Sequence, residues 1–219
     1  FPVAGCVAYR GFFAREDAER HAARLRAEGH DVHVYGVAAY STLGRFDDPL
    51  LSTFIGYAEA DLARLVFHEL AHQVAYARDD STFNESFAVA VEREGVRRWL
   101  AATGRDAQLR AYLESRERSR VALAEIERSR ARLEALYGTR LAPEAMRERK
   151  TREMVRLAEK LKSIPGFRDT VPNNAFLAAH ATYTELVPAF EKLLAKEGGD
   201  LRRFYERVKK LADSGQRPS

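Results

Sequence analysis

The chain has 219 residues, 46% of them hydrophobic and 31% charged, with 36 Lys and Arg against 32 Asp and Glu. That length and apolar content can bury a core and exclude a disordered chain, and no run approaches the roughly 18 consecutive apolar residues that a membrane-spanning helix needs. One cysteine, Cys6, excludes an internal disulfide framework and a cysteine-rich zinc site, which leaves six histidines for metal or acid–base chemistry.

Residues 3–13 are apolar and aromatic, with Gly5 and Gly11, and read as a strand or buried extended segment in which Cys6 is a small buried hydrophobe. The chain opens on Phe1 with no signal-like segment, so it is expected to begin partway into a longer protein. Residues 14–28 have helical spacing and end at Gly29. Residues 30–37 alternate, with Val32 and Val34 on one side and Asp31, His33 and Tyr35 on the other, and predict a half-buried strand. Residues 38–49 read as a loop and 50–57 as a short apolar stretch.

A helix is predicted over 59–77, where Leu62, Leu65, Val66, Leu70 and Val74 keep a spacing of three to four. Residues 78–81 break it, and a second helix runs from about Thr82 to Ala102 and closes at Gly104. Residues 108–136 and 143–161 predict a long charged helical hairpin, 164–174 a loop, and 175–195 and 201–212 two final helices. The expected class is α+β, a small N-terminal sheet followed mostly by helix, with the helical hairpin as an insertion. The expected divisions are 1–103, 104–163 for the hairpin and 164–219 for a C-terminal helical region.

Charge is uneven. Residues 104–162 carry sixteen basic against ten acidic side chains, net +6, whereas the rest carries twenty against twenty-two, net −2. In 115–131 the signs interleave as on a solvated helix with i,i+4 pairs. No nucleic-acid-binding signature is present, and no nucleic-acid partner is expected.

The chemistry is concentrated in His68-Glu69-Leu70-Ala71-His72, an HExxH pattern in the middle of an amphipathic helix. Four residues is just over one turn, so both imidazoles leave one face and can bind one zinc ion. Glu69, about 100° round the helix, is placed to take a proton from water rather than to ligate. Glu85, 13 positions after His72 on the next helix, is the candidate third ligand. Two alternatives stand beside it. Thr82 and Glu85 also fit a capping box, and Glu92, two turns on, is a competing ligand. Asn84 is expected to support the ligand helix or its turn. Asn173 and Asn174 read as a helix cap or a substrate contact, and His21, His30 and His33 as surface or strand histidines.

HELAHQ (His68 to Gln73) followed by NESFAVAVE (Asn84 to Glu92) resembles the HELAHQ and NEGFA pairing of aminopeptidase-N-type gluzincin zinc peptidases, with shorter spacing and Ser86 in place of glycine. The chain resembles more closely a bacterial family of predicted zinc aminopeptidases, through GCVAYRGFF from Gly5, GVAAYSTLGRFDDPLLST from Gly36, and PNNA and LVPAF from Pro172 to Phe190. Arg45 departs from that pattern, in which an aromatic residue is expected.

The resemblance implies a zincin-like metallopeptidase core with active-site helices over 1–103, its active site completed by 164–219, and within it Glu85 as the third ligand of a single Zn2+, Glu69 as general base, and Tyr183 as donor to the tetrahedral oxyanion, with His180 as its rival. It also implies a substrate strand formed by Gly36, Val37, Ala38 and Ala39, within an edge strand over 32–40. Recognition of a free amino terminus would fall to Asp47, Asp48, Glu59 or Glu92. The expected function is a zinc aminopeptidase acting on peptides, with an upstream lipid anchor and a place in the bacterial cell envelope. The alternatives are a zinc endopeptidase or processing protease using the same site, and a non-catalytic zinc-stabilised scaffold that binds partners through the hairpin.

Overall fold

The computed structural model describes residues 9–37 and 52–218. The readings made for Cys6, Ala38, Ala39, Arg45, Asp47, Asp48 and the loop 38–49 therefore lie outside the described residues. The described elements are α1 (Arg15–Ala27), α2 (Ser52–Ile55), α3 (Glu59–Val74), α4 (Ser81–Ala102), α5 (Asp106–Tyr137), α6 (Pro143–Lys162), α7 (Asn174–Thr184), α8 (Val187–Lys196) and α9 (Leu201–Ser214).

The expected α+β class with its N-terminal sheet is overturned. Helices make up 72% of the described residues, and among these there is no strand. Residues 30–37 carry no regular secondary structure and form no ladder. Side chains and a helix start pair with some of their polar groups instead. Asn173 Nδ2 donates to the Val32 carbonyl at 3.0 Å, while Asp31 accepts from the Asn174 backbone N–H at 3.2 Å and from Lys150 Nζ at 2.5 Å. Alternation in the sequence is a necessary sign of a half-buried strand but not a sufficient one, because a strand also needs a partner to make its ladder with.

A second correction falls on 175–195, which is two helices rather than one. Pro188 lies in the first turn of α8, where its missing N–H costs nothing; inside a continuous helix its ring would collide with the carbonyl four residues back.

The chain forms two compact units, Phe1–Arg10, Tyr35–Tyr112 and Thr182–Ser219 in the first, Gly11–Val34 and Leu113–Ala181 in the second. The first is organised around α4, whose residues 83–92 are all buried. Phe83 and Phe87 pack on Phe190 of α8 with ring centroids 5.1 and 5.6 Å apart, and Phe87 also meets Phe204 of α9. These rings, with Ala71, Val91, Leu193 and Val208, form the core. On its other flank α4 lies close to α3: a Cβ on Gly95 would stand 2.8 Å from the Phe67 ring. In the second unit α5 and α6 pack through Ile126, Leu133, Met154, Leu157 and Leu161. Their polar faces carry ion pairs within each helix, such as Arg120 with Glu117 and Arg130 with Glu134.

Candidate metal centre

The turn between α3 and α4 sets the register of the site. Asp79 has φ 64, a left-handed conformation that reverses the chain within a few residues. Asp80 then caps α4 by accepting from Phe83 N–H at 2.9 Å. The cap thus lies two residues before Thr82, and Glu85 falls beyond the capping position that the Thr82–Glu85 pattern assigned to it. Asn84 closes the turn. Its Oδ1 accepts from the Ala77 N–H and its Nδ2 donates to the Ala77 carbonyl, both at 2.7 Å, inside a buried environment.

Within this frame His68, His72 and Glu85 converge, with one ligand-capable atom from each lying within 4.8 Å of the others. His68 Nε2 stands 3.2 Å from Glu85 Oε2, and His72 Nε2 stands 3.9 Å from the same oxygen. The two imidazoles are nearly perpendicular, with centroids 5.1 Å apart. Glu92 does not join this cluster. Its Oε2 lies on the other ring nitrogen, 3.0 Å from His68 Nδ1, and 3.4 Å from Arg64 Nη1.

The two histidines are electrostatically unlike. Burial alone would lower the pKa of His68, but its bonds to Glu85 and Glu92 outweigh this and raise it to about 10. His72 is lowered to about 4, chiefly by burial, with the neighbouring His68 adding to the effect against the pull of Glu85. It is therefore neutral near pH 7, the form in which imidazole binds metals. Among the described residues the Nδ1 of His72 is buried with no hydrogen-bond partner, while its Nε2 has the Glu85 oxygen at 3.9 Å. A buried ring nitrogen without a polar partner is costly. Two imidazoles and a carboxylate around one point are the donor set of a catalytic zinc site, so the residues fit a metal ion.

Glu69 lies half-buried on α3, and its charge is felt at the Tyr9 hydroxyl. Tyr183, at the end of α7, stacks on His68 with centroids 6.5 Å apart and planes 28° apart. Burial, then the Glu85 charge, then Tyr35 and Tyr9 push its pKa far above the usual phenol range, so it stays a hydrogen-bond donor. His180 lies in the second unit, packed edge-on to Phe176 at 4.3 Å and lowered to about 4 by burial and by His33. Of the expected substrate strand, Gly36 and Val37 are exposed and form no strand, while Ala38 and Ala39 lie outside the described residues. Glu59 is paired with Arg105, and Asn173 caps α7 by accepting from Phe176 N–H at 2.8 Å.

Sequence reasoning missed three tyrosines around Glu85. Burial raises Tyr9 to about 12, and Glu85 is the largest charge adding to it. Tyr76 is raised by burial and by Glu85 against a hydrogen bond with Asn84, and its ring meets His72 at 6.3 Å. Tyr35 shares a hydrogen bond with Tyr183. No spacing rule links Tyr9 or Tyr35 to α3, whereas Tyr76 had one signal, its place four residues after His72 in the helix expected over 59–77. The position of Glu92 on His68 had one signal, its distance of seven residues, or two turns, from Glu85.

A family model described as "Putative aminopeptidase" matches residues 1–218. No curated protein and no solved structure matches the chain.

Proposed function

We propose that this chain, which belongs to the Putative aminopeptidase family, is a zinc-dependent aminopeptidase related in motif to the gluzincins, with His68, His72 and Glu85 as the residues that hold the ion. The observation that carries the metal is the convergence of the buried, neutral His72 with His68 and Glu85, one donor atom of each lying within 4.8 Å of the others. The family carries the preference for a free amino terminus.

A zinc ion bound there supplies a lowered pKa for a coordinated water and polarises a carbonyl. The chain's own groups do the rest. Glu69, one position from His68 and outside the ligand set, removes a proton from the attacking water and returns it to the leaving amine as the C–N bond breaks. Tyr183 donates its phenolic proton in a hydrogen bond to the oxygen on which negative charge develops. Glu92 accepts from His68 Nδ1 and fixes the tautomer that leaves Nε2 facing Glu85.

The test uses purified protein with zinc, and unblocked peptides beside their N-acetylated forms. Release of free amino acids from the unblocked peptides alone is expected. Cleavage of both would mark an endopeptidase, and one equivalent of zinc with cleavage of neither would mark a structural site. Glu69→Gln is expected to retain the metal while turnover falls by roughly 10²–10⁴-fold. Undiminished turnover in that variant would remove Glu69 as the base.

A further inference from the structure

Ser86 follows Glu85 on α4 and has no accessible surface. One step along a helix turns a side chain by about 100°. Where Glu85 meets the histidines of α3, Ser86 therefore meets the junction between α7 and α8, and its Oγ accepts from the Leu186 backbone N–H at 3.2 Å. Leu186 is the residue that opens α8, with φ −97 and ψ 0, and its side chain packs against the core of the first unit. α7 has already ended at Thr184, so the helix ladder gives this N–H no partner. Alanine or glycine at position 86 would leave it without the Ser86 acceptor. Three residues earlier stands Tyr183, stacked on His68.

We propose that Ser86 is the positioning residue for Tyr183. By tying the α7–α8 junction to α4 it holds the phenol on the His68 side of the site. A candidate ligand and the anchor of the oxyanion donor are then consecutive residues, and a single helical step sets their relation. This inference rests on the proposed role of Tyr183, and the experiment separates the two.

Wild type, Ser86→Ala, Tyr183→Phe and the double variant are compared on an aminoacyl-4-nitroanilide with a free amine, with zinc content, KM and kcat measured for each. S86A is expected to keep one equivalent of zinc and a KM within about twofold, while kcat falls about 10- to 100-fold, as expected when a catalytic group is misplaced by about an ångström. In metal-free S86A the Leu186 amide is expected to exchange at least about tenfold faster than in wild type, a readout independent of turnover. In the Tyr183→Phe background the Ser86 change is expected to cost nothing further, because two residues acting through one group are not additive. An equal further loss in that background, or a wild-type kcat in S86A, overturns the role of Ser86. A wild-type kcat in Y183F overturns the role of Tyr183 itself, and the inference with it. Ser86→Cys preserves most of the volume with a weaker acceptor and keeps the test open should S86A fail to fold. Its kcat and Leu186 exchange must fall between serine and alanine, and wild-type values in both overturn the proposal.

Discussion

Glu85 and Glu92 sit two turns apart on one face of α4, and between them they take both nitrogens of a single imidazole. That arrangement divides the labour. The carboxylate facing Nε2 is the one close to His72, while the one on Nδ1 is buried at 5% exposure and joined by Arg64. Removing the second should loosen metal binding without abolishing it. Glu92→Ala is expected to weaken zinc affinity about 10- to 100-fold in chelator competition, with Glu92→Gln closer to wild type because it still accepts from Nδ1–H. Affinity in E92A equal to wild type would reduce Glu92 to a core carboxylate held by Arg64. The HExxH pair was legible because helix period alone dictates that residues four apart share a face. The division between the two glutamates was not, since it depends on how α4 crosses α3, and spacing carries no crossing angle. The capping-box reading failed for a similar reason. Asp79 reverses the chain early, so Asp80 rather than Thr82 caps α4, accepting from the Phe83 N–H.

At the level of elements, the α3–α4 turn has one point of concentrated stability. Asn84 pairs with both backbone groups of Ala77, and its loss would leave the buried Ala77 N–H unpaired at about 1–3 kcal/mol and the carbonyl with only the longer bond from Asp80 N–H at 3.4 Å. Asn84→Ala is expected to lower the denaturant midpoint of the first unit and to weaken zinc binding together. A change in stability with unaltered affinity would separate the turn from the site. In the α5–α6 hairpin the corresponding point is Glu153, which accepts from Arg132 Nη2 at 2.7 Å and Ser129 Oγ at 2.5 Å. Burial would raise its pKa, but these bonds prevail and hold it below 4.5. A carboxyl lowered by folding contributes stability that is complete above its unfolded value and fades as pH falls through its folded one. Thermal midpoints of the wild type should therefore fall more steeply than those of Glu153→Gln below about pH 4.5. Parallel profiles would deny the pair that role. Helices of this kind announce themselves through apolar spacing, and the bounds of α5 and α6 lie within two residues of the expected ones. The supposed strand over 30–37 could not be judged in the same way, because a strand is defined by a partner and the partners here are Asn173, Asn174 and Lys150, all far along the chain.

For the whole molecule, what matters is that each unit has its own apolar core, and that the candidate ligands, the proposed base and the proposed oxyanion donor all belong to the first. A ligand that binds only the folded form stabilises whatever must unfold to release it, by about 2.7 kcal/mol at a hundred times its Kd. Zinc at that excess should slow the amides of α3 and α4 that exchange only through opening of the first unit, by up to about 100-fold. Ile126, Leu133, Leu157 and Leu161 report the other core, and their amides in α5 and α6 should change less than about twofold. Hydrogen exchange read by mass spectrometry, with and without zinc, resolves these segments. Equal protection of both sets would mean that the two units open as one cooperative body, so that the hairpin's packing contributes to metal retention. Protection of neither set would take the metal away from α3 and α4 and leave His72 as a buried imidazole with nothing to bind.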